Sequence, residues 1–364
     1  MSFLRKFSVR SFDWTLLITV LLLVATGLAA IYSVDLSRGG QLVFFKKQLL
    51  AAAIGLGLLF AASLTQYTFF RSYAKFFYLF SLLLLVAVFF VGTSIRGAKS
   101  WFVFGNFSFQ PLEFAKIGVI FILAYIVHNF GRRFERPLFF VGTGVCVGLV
   151  MLAIIMERDL GSSIIIGLIW LGVMLLVGAR PTHLLTFLAG GLVFAVIAWF
   201  FLLHSYQRDR ILTFVHPERD SLGSGYNATQ AIIAVGAGKW FGRGLGFGSQ
   251  SQLRFLPEAQ TDFIFSVIAE ELGLAGVAAL VILFSIMLWR LTTIARKGSD
   301  DFATVTVSGI AILFFTQFFV NVSANIGLLP ITGVTLPFVS YGGSSLVINL
   351  FLIGVAESMI EKRY

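Results

Sequence analysis

Runs of roughly twenty mostly apolar residues recur from one end of this chain to the other, and each is long enough to cross a bilayer as an α-helix. About ten are expected: 14–34, 48–64, 76–94, 113–129, 138–156, 161–179, 184–203, 263–289, 303–326 and 338–358. Of the 364 residues, 58% are hydrophobic and 12% charged, about half the charged share of a soluble domain. A soluble core cannot hide that much apolar surface. The fold class is therefore all-α, a polytopic integral membrane protein forming a single membrane domain over 1–364. The basic N-terminal segment precedes an apolar run too long for a secretory signal core, so the first run reads as a retained helix.

Lysine and arginine favour the cytoplasmic side of a membrane. Placing Arg5, Lys6, Arg10, Arg71, Lys75, Arg132, Arg133, Arg136, Arg180, Arg290, Arg296, Lys297, Lys362 and Arg363 inside gives both termini cytoplasmic. The same choice leaves 204–262 as one large structured extracytoplasmic loop. The net charge of +10 is then matched to lipid headgroups, and no nucleic-acid partner is expected. One cysteine, Cys146, forms no intrachain disulfide, and the four histidines lack metal-ligand spacing. GAGK at 236–239 and GLGFG at 244–248 lack the strand, helix and Ser/Thr context of a phosphate loop. Their glycines suit tight turns and close helix contacts instead.

Polar residues gather where apolar runs begin. Thr261 and Asp262 precede the eighth run, and Asp262 is either a helix N-cap or a base at the membrane surface. Glu270 and Glu271 lie two turns on, where pairing with a basic residue is the default. Glu113 and Lys116 share a helix face, as a local ion pair or as a cation aimed at an anionic headgroup. Glu157, Arg158 and Asp159 are polar punctuation between two spans, or acids that hold a divalent cation. The uncharged, proline- and glycine-broken stretch 321–345 must line a cavity or pack on protein.

Four blocks carry a resemblance. They are GAKSWFVFG with QPLEFAK (97–116), GSGYNATQ with the glycine-rich run to GSQSQ (223–252), PEAQTDFIF with AEELG (257–273), and Asn321 through Ser345. Together they resemble the SEDS family (shape, elongation, division and sporulation), most closely its RodA branch. Ser100, Leu112 and Ala231 depart from its pattern, since a basic residue is common at the first position and a serine at the other two.

The resemblance implies a peptidoglycan glycosyltransferase that polymerises lipid II at the outer face of the bacterial cytoplasmic membrane. It puts the essential aspartate on Asp262, acting as general base on the acceptor hydroxyl. It implies substrate contacts from Trp101, Gln110, Glu113, Lys116, Arg210, Arg243, Ser340 and Ser344. Lys116, Arg210 and Arg243 are candidates to offset the leaving pyrophosphate, with or without Mg2+ or Mn2+ near Asp159; no organic cofactor is expected. Expected partners are a class B penicillin-binding protein, other proteins of the elongation complex, and lipid II with its undecaprenyl chain. The rivals are a lipid II flippase and a scaffold for the crosslinking enzyme.

Overall fold

The computed structural model describes residues 12–95, 98–105, 107–130, 137–197, 199–200, 205–216 and 223–360. Arg5, Lys6, Arg10, Arg132, Arg133, Arg136, Lys362 and Arg363 lie outside the described residues, as does the end of the 184–203 run. Helices run back and forth between two ends of a bundle. They are α1 (Trp14–Ser37), α2 (Val43–Leu64), α3 (Tyr67–Val91), α4 (Pro111–Phe130), α5 (Pro137–Met156), α6 (Leu160–Val177) and α7 (Pro181–Ile197). Three shorter helices follow, α8 (Ser205–Val215), α9 (Ser224–Ala237) and α10 (Ser249–Gln252). The bundle is completed by α11 (Ile264–Arg296), α12 (Asp301–Asn325) and α13 (Gly343–Ser358). Eight of these are long and apolar enough to cross a membrane; α7, with 17 residues, and α13, with 16, are shorter.

Local chemistry sets many of the helix starts. Asp13, Asp159 and Asp300 cap α1, α6 and α12 by accepting from backbone amides at 2.8–3.0 Å. Pro111, Pro137 and Pro181 occupy first-turn positions, where a missing N–H costs nothing. α4 and α12 are the most enclosed of the long helices. α2 lies along α13 closely enough that a side chain at Gly354 would strike the Leu59 backbone.

The two ends differ. At one, Arg290 pairs with Asp13, whose amide donates to Glu357 at 3.1 Å, and Arg71 pairs with Asp300 at 2.7 Å. Residues near the start and the finish of the described chain thus meet at this basic end. At the other end, the segment after α3 forms a three-stranded antiparallel sheet, β1 (Thr93–Ile95), β2 (Ala98–Phe104) and β3 (Phe107–Phe109). Phe102 pairs with Phe109 and Thr93 with Trp101. Trp101, Phe102, Phe104, Phe107 and Phe109 are therefore strand residues.

Candidate functional site

At the sheet end a cavity of roughly 440 Å3 opens between β2, the starts of α4 and α6, α8, the approach to α11, and the 330–345 segment. Of the residues singled out from sequence, Asp262, Trp101, Gln110, Glu113, Arg210, Ser344 and Asp159 line it. Residues more than two hundred positions apart converge here because α4, α6, α11 and α13 all have an end at this level.

Asp262 is half-buried and sits just before α11. The N-cap position itself falls to Phe263, which has no capping side chain. The backbone around Asp262 is clamped instead. Its carbonyl accepts from Asn321 Nδ2 at 3.1 Å and Asn325 Nδ2 at 2.9 Å. Ser266 Oγ steadies Asn325 by donating to its Oδ1 at 2.7 Å. One residue back, the Thr261 carbonyl accepts from Ser340 Oγ at 2.7 Å. Ser340 is thus a brace for this turn and is not among the cavity-lining residues. Gln48 completes the frame, donating to the Ser340 carbonyl and accepting from the Gly342 amide. Asn325 and Gln48 were not singled out from sequence. The Asn321/Asn325 spacing, i and i+4 at the end of an apolar helix, was the available signal.

Glu113 and Lys116 form the local pair. Lys116 Nζ lies 2.8 Å from both Glu113 oxygens, and both side chains are about 95% buried. Glu113 reaches the cavity, while Lys116 spends its charge on Glu113 beneath it. Arg158 and Arg210 carry positive charge on the cavity wall. Arg243 is not among the cavity-lining residues and donates to Ser249 Oγ at 3.0 Å.

The expected metal role of Asp159 meets a different use of that side chain. Its two oxygens accept from the Ser162 amide and hydroxyl. Among the described residues no three His, Cys, Asp or Glu side chains gather to hold a metal. Asp159 would hold Mg2+ or Mn2+ only together with substrate phosphates. Beside Asp159, Glu157 is 2% exposed, and burial pushes its carboxyl up to about 8. The Ser100 hydroxyl opposes that shift, and the Asp159 charge adds to it.

Among the described residues, Glu270 and Glu271 take no lysine or arginine partner directly. The Glu270 carboxylate accepts from the Gln250 and Ser251 amides at the start of α10, and Glu271 accepts from Ser33 and Ser251 hydroxyls. Backbone and hydroxyl donors do the work assigned to a cation.

α13 begins at the cavity. Its N-cap, Gly342, has no capping side chain, and Gly343, Ser344 and Ser345 line the wall. A helix start of this kind favours an anion.

Comparison with known proteins bears on this arrangement. A model of the FtsW/RodA/SpoVE family, described as cell cycle protein, matches residues 13–364. The peptidoglycan glycosyltransferase MrdB of Escherichia coli K12 is 35% identical over 354 residues, which cover 96% of this chain and 94% of the relative. A probable peptidoglycan glycosyltransferase FtsW of Nitrosomonas europaea is 36% identical over 362 residues, covering 94% and 91%. A chain from a solved structure on coordination of polymerization and crosslinking by a peptidoglycan synthase complex superposes with a TM-score of 0.82 at 32% identity, covering 95% of this chain and 96% of that one. The rod shape determining protein RodA of Thermus thermophilus superposes with a TM-score of 0.72 at 29% identity and the same coverage.

Proposed function

The chain belongs to the FtsW/RodA/SpoVE, or SEDS, family, and on that premise we propose that it polymerises lipid II with Asp262 as the base that activates the acceptor. It is a peptidoglycan glycosyltransferase and a multi-pass membrane protein. The observation that carries the proposal is the clamp on the Asp262 backbone, which fixes a carboxylate-bearing residue at the edge of a cavity that Arg158 and Arg210 also line.

The acceptor sugar presents its 4-hydroxyl to the Asp262 carboxylate. Asp262 takes the proton as the oxygen attacks the anomeric carbon of the lipid-linked donor. The bond to undecaprenyl pyrophosphate breaks, and its electron pair leaves with the phosphate oxygen. A single displacement inverts the anomeric centre. Arg158, Arg210 and the uncapped start of α13 offset the charge that develops on the leaving group. Ile164 and Ile331 give the cavity an apolar side suited to the isoprenoid end of the substrate. The cavity lies at one end of the bundle, an arrangement that favours surface chemistry over the midplane site expected of a transporter.

Orientation follows from charge. The basic end faces the cytoplasm and the cavity faces outward, in the bacterial cytoplasmic membrane. The partner we assign is a class B penicillin-binding protein, because a chain of similar fold belongs to a synthase complex that couples polymerization to crosslinking.

The test is purified protein incubated with lipid II, with products sized on a gel. Asp262→Asn keeps the shape of the side chain and removes its basicity, so glycan synthesis should fall about 10²–10⁴-fold. Near wild-type synthesis by Asp262→Asn would overturn the assignment. Lipid movement across vesicles without polymer would point to the flippase.

A further inference from the structure

We propose that the 240–247 tip of the long loop is a lipid anchor that dips its aromatic side chains into the bilayer at the cavity end of the bundle. The tip is bare. Trp240 is 70% exposed, Phe241 86% and Phe247 76%, with Leu245 exposed between them. Apolar side chains so exposed require a cover, and the fold prevents them from turning inward. α11 is broken at Gly273, which adopts φ +66°. The loop closes that break with its own backbone. Leu274 and Ala275 amides donate to the Lys239 and Trp240 carbonyls, at 2.8 and 3.0 Å. Arg243 and Gly244 amides donate in return to the Glu270 and Glu271 carbonyls, at 3.0 and 2.9 Å. A side chain at Gly242 would meet the Glu271 carbonyl oxygen at 2.2 Å, so backbone lies on backbone here. With its inner side occupied by α11, the tip projects its rings outward.

Depth identifies the occupant. From Leu274 to Arg296, α11 rises about 33 Å at 1.5 Å per residue, close to the roughly 30 Å thickness of bilayer hydrocarbon. With Arg296 at one boundary, Gly273 and the loop clamped to it stand at the other. Charge agrees as well. Lys239, Arg243 and Arg254 flank the exposed rings, the pairing of cations with aromatics that suits phosphate headgroups above acyl chains. The loop runs on through α10, which Glu270 holds, to Asp262. The anchor therefore fixes the far end of the same segment that ends at the cavity.

The experiment places a nitroxide spin label at Phe241→Cys in a Cys146→Ser background, with the full chain purified into lipid nanodiscs. Accessibility to oxygen and to a water-soluble nickel chelate is compared with labels at lipid-facing Val281→Cys and at Gln41→Cys in an exposed turn at the cavity end. The expected result is that position 241 reverses from nickel-favoured, as at 41, to oxygen-favoured, as at 281. Phe247→Cys is an independent second site and should behave the same way. Nickel-favoured access at both positions overturns the anchor. Shielding from both reagents overturns it too, and points to a protein surface, such as a second copy, as the cover.

Discussion

Asn325→Leu isolates the clamp on Asp262. Leucine keeps the branched heavy-atom skeleton of asparagine and is the larger side chain, so the change removes hydrogen bonds without opening a cavity. It deletes the 2.9 Å bond to the Asp262 carbonyl, the 2.9 Å bond to the Asn321 carbonyl and the 2.7 Å bond accepted from Ser266. The Asn321 carbonyl keeps its place in α12, and Asp262 retains the Asn321 amide at 3.1 Å. The fully buried Ser266 hydroxyl loses its partner. One lost net bond plus one stranded hydroxyl amounts to about 2–4 kcal/mol of stability. The rate should suffer separately, because displacing a reacting group by about 1 Å costs on the order of 10²-fold. We expect a 10–100-fold loss in kcat, roughly within that same geometric penalty, while the protein stays folded. The assay is the initial rate of lipid II polymerisation at saturating substrate, read beside thermal unfolding in detergent. Ser266→Ala is the control. It removes the bond to Asn325 Oδ1 but leaves both donors on Asp262, so it should cost about 1 kcal/mol with little change in rate. Wild-type turnover by Asn325→Leu, or equal rate losses in the two variants, would refute positioning of Asp262 by this clamp.

Lys116→Met should lower stability by about 3–5 kcal/mol, because it leaves the buried Glu113 carboxylate uncompensated. The Glu113→Gln/Lys116→Met double variant should recover most of that loss in thermal unfolding. Glu157 should make stability fall with rising pH. Its folded value, about 8, lies above its ordinary 4.5, so the folded state holds a proton that the unfolded chain releases. That contribution is complete below about pH 4.5 and is lost as pH rises towards 8, at up to about 1.4 kcal/mol per pH unit. Glu157→Gln should flatten the dependence of Tm on pH between 5 and 9, and an unchanged profile would refute a neutral Glu157. Gly242→Ala puts a methyl on the Glu271 carbonyl at a φ of +76°, which should cost about 1–3 kcal/mol or more and release the loop from α11. Faster hydrogen exchange at Leu274 and Ala275 would report that release.

Hydropathy made the long helices legible because a bilayer leaves a chain few alternatives. It failed where charges serve the bundle. α3 starts at Tyr67, well before the apolar run that marks it, because Arg71 and Lys75 belong to its first turns and Arg71 reaches Asp300. The sheet over 93–109 left only a weak trace, a glycine at 105 between two aromatic stretches, and aromatics at a membrane surface satisfy the same pattern. Asp262 was found through the PEAQTDFIF block, and sequence left it divided between cap and base. Its setting depends on Asn321 and Asn325, about sixty residues away. Glu270 and Glu271 were misassigned to basic partners for the same reason. Their donors are amides and hydroxyls of α10 and of Ser33, more than two hundred residues distant in the latter case. Arg243 lay in a matched block and still does not line the cavity, since block membership does not say which side of a loop a side chain takes.

α13 is about 24 Å long, roughly 6 Å short of the bilayer hydrocarbon. Its inner end is pinned, because Glu357 meets Asp13 and Ile360 bridges to Gly298. The whole deficit therefore falls at the cavity end, where the non-helical 330–342 stretch fills it. Hydrophobic mismatch is thus built into the wall of the site, and the floor of the cavity lies beneath the headgroup plane. A thicker bilayer would bury that floor further and a thinner one would lift it towards water, making acyl-chain length a determinant of turnover that no change of sequence is needed to exploit.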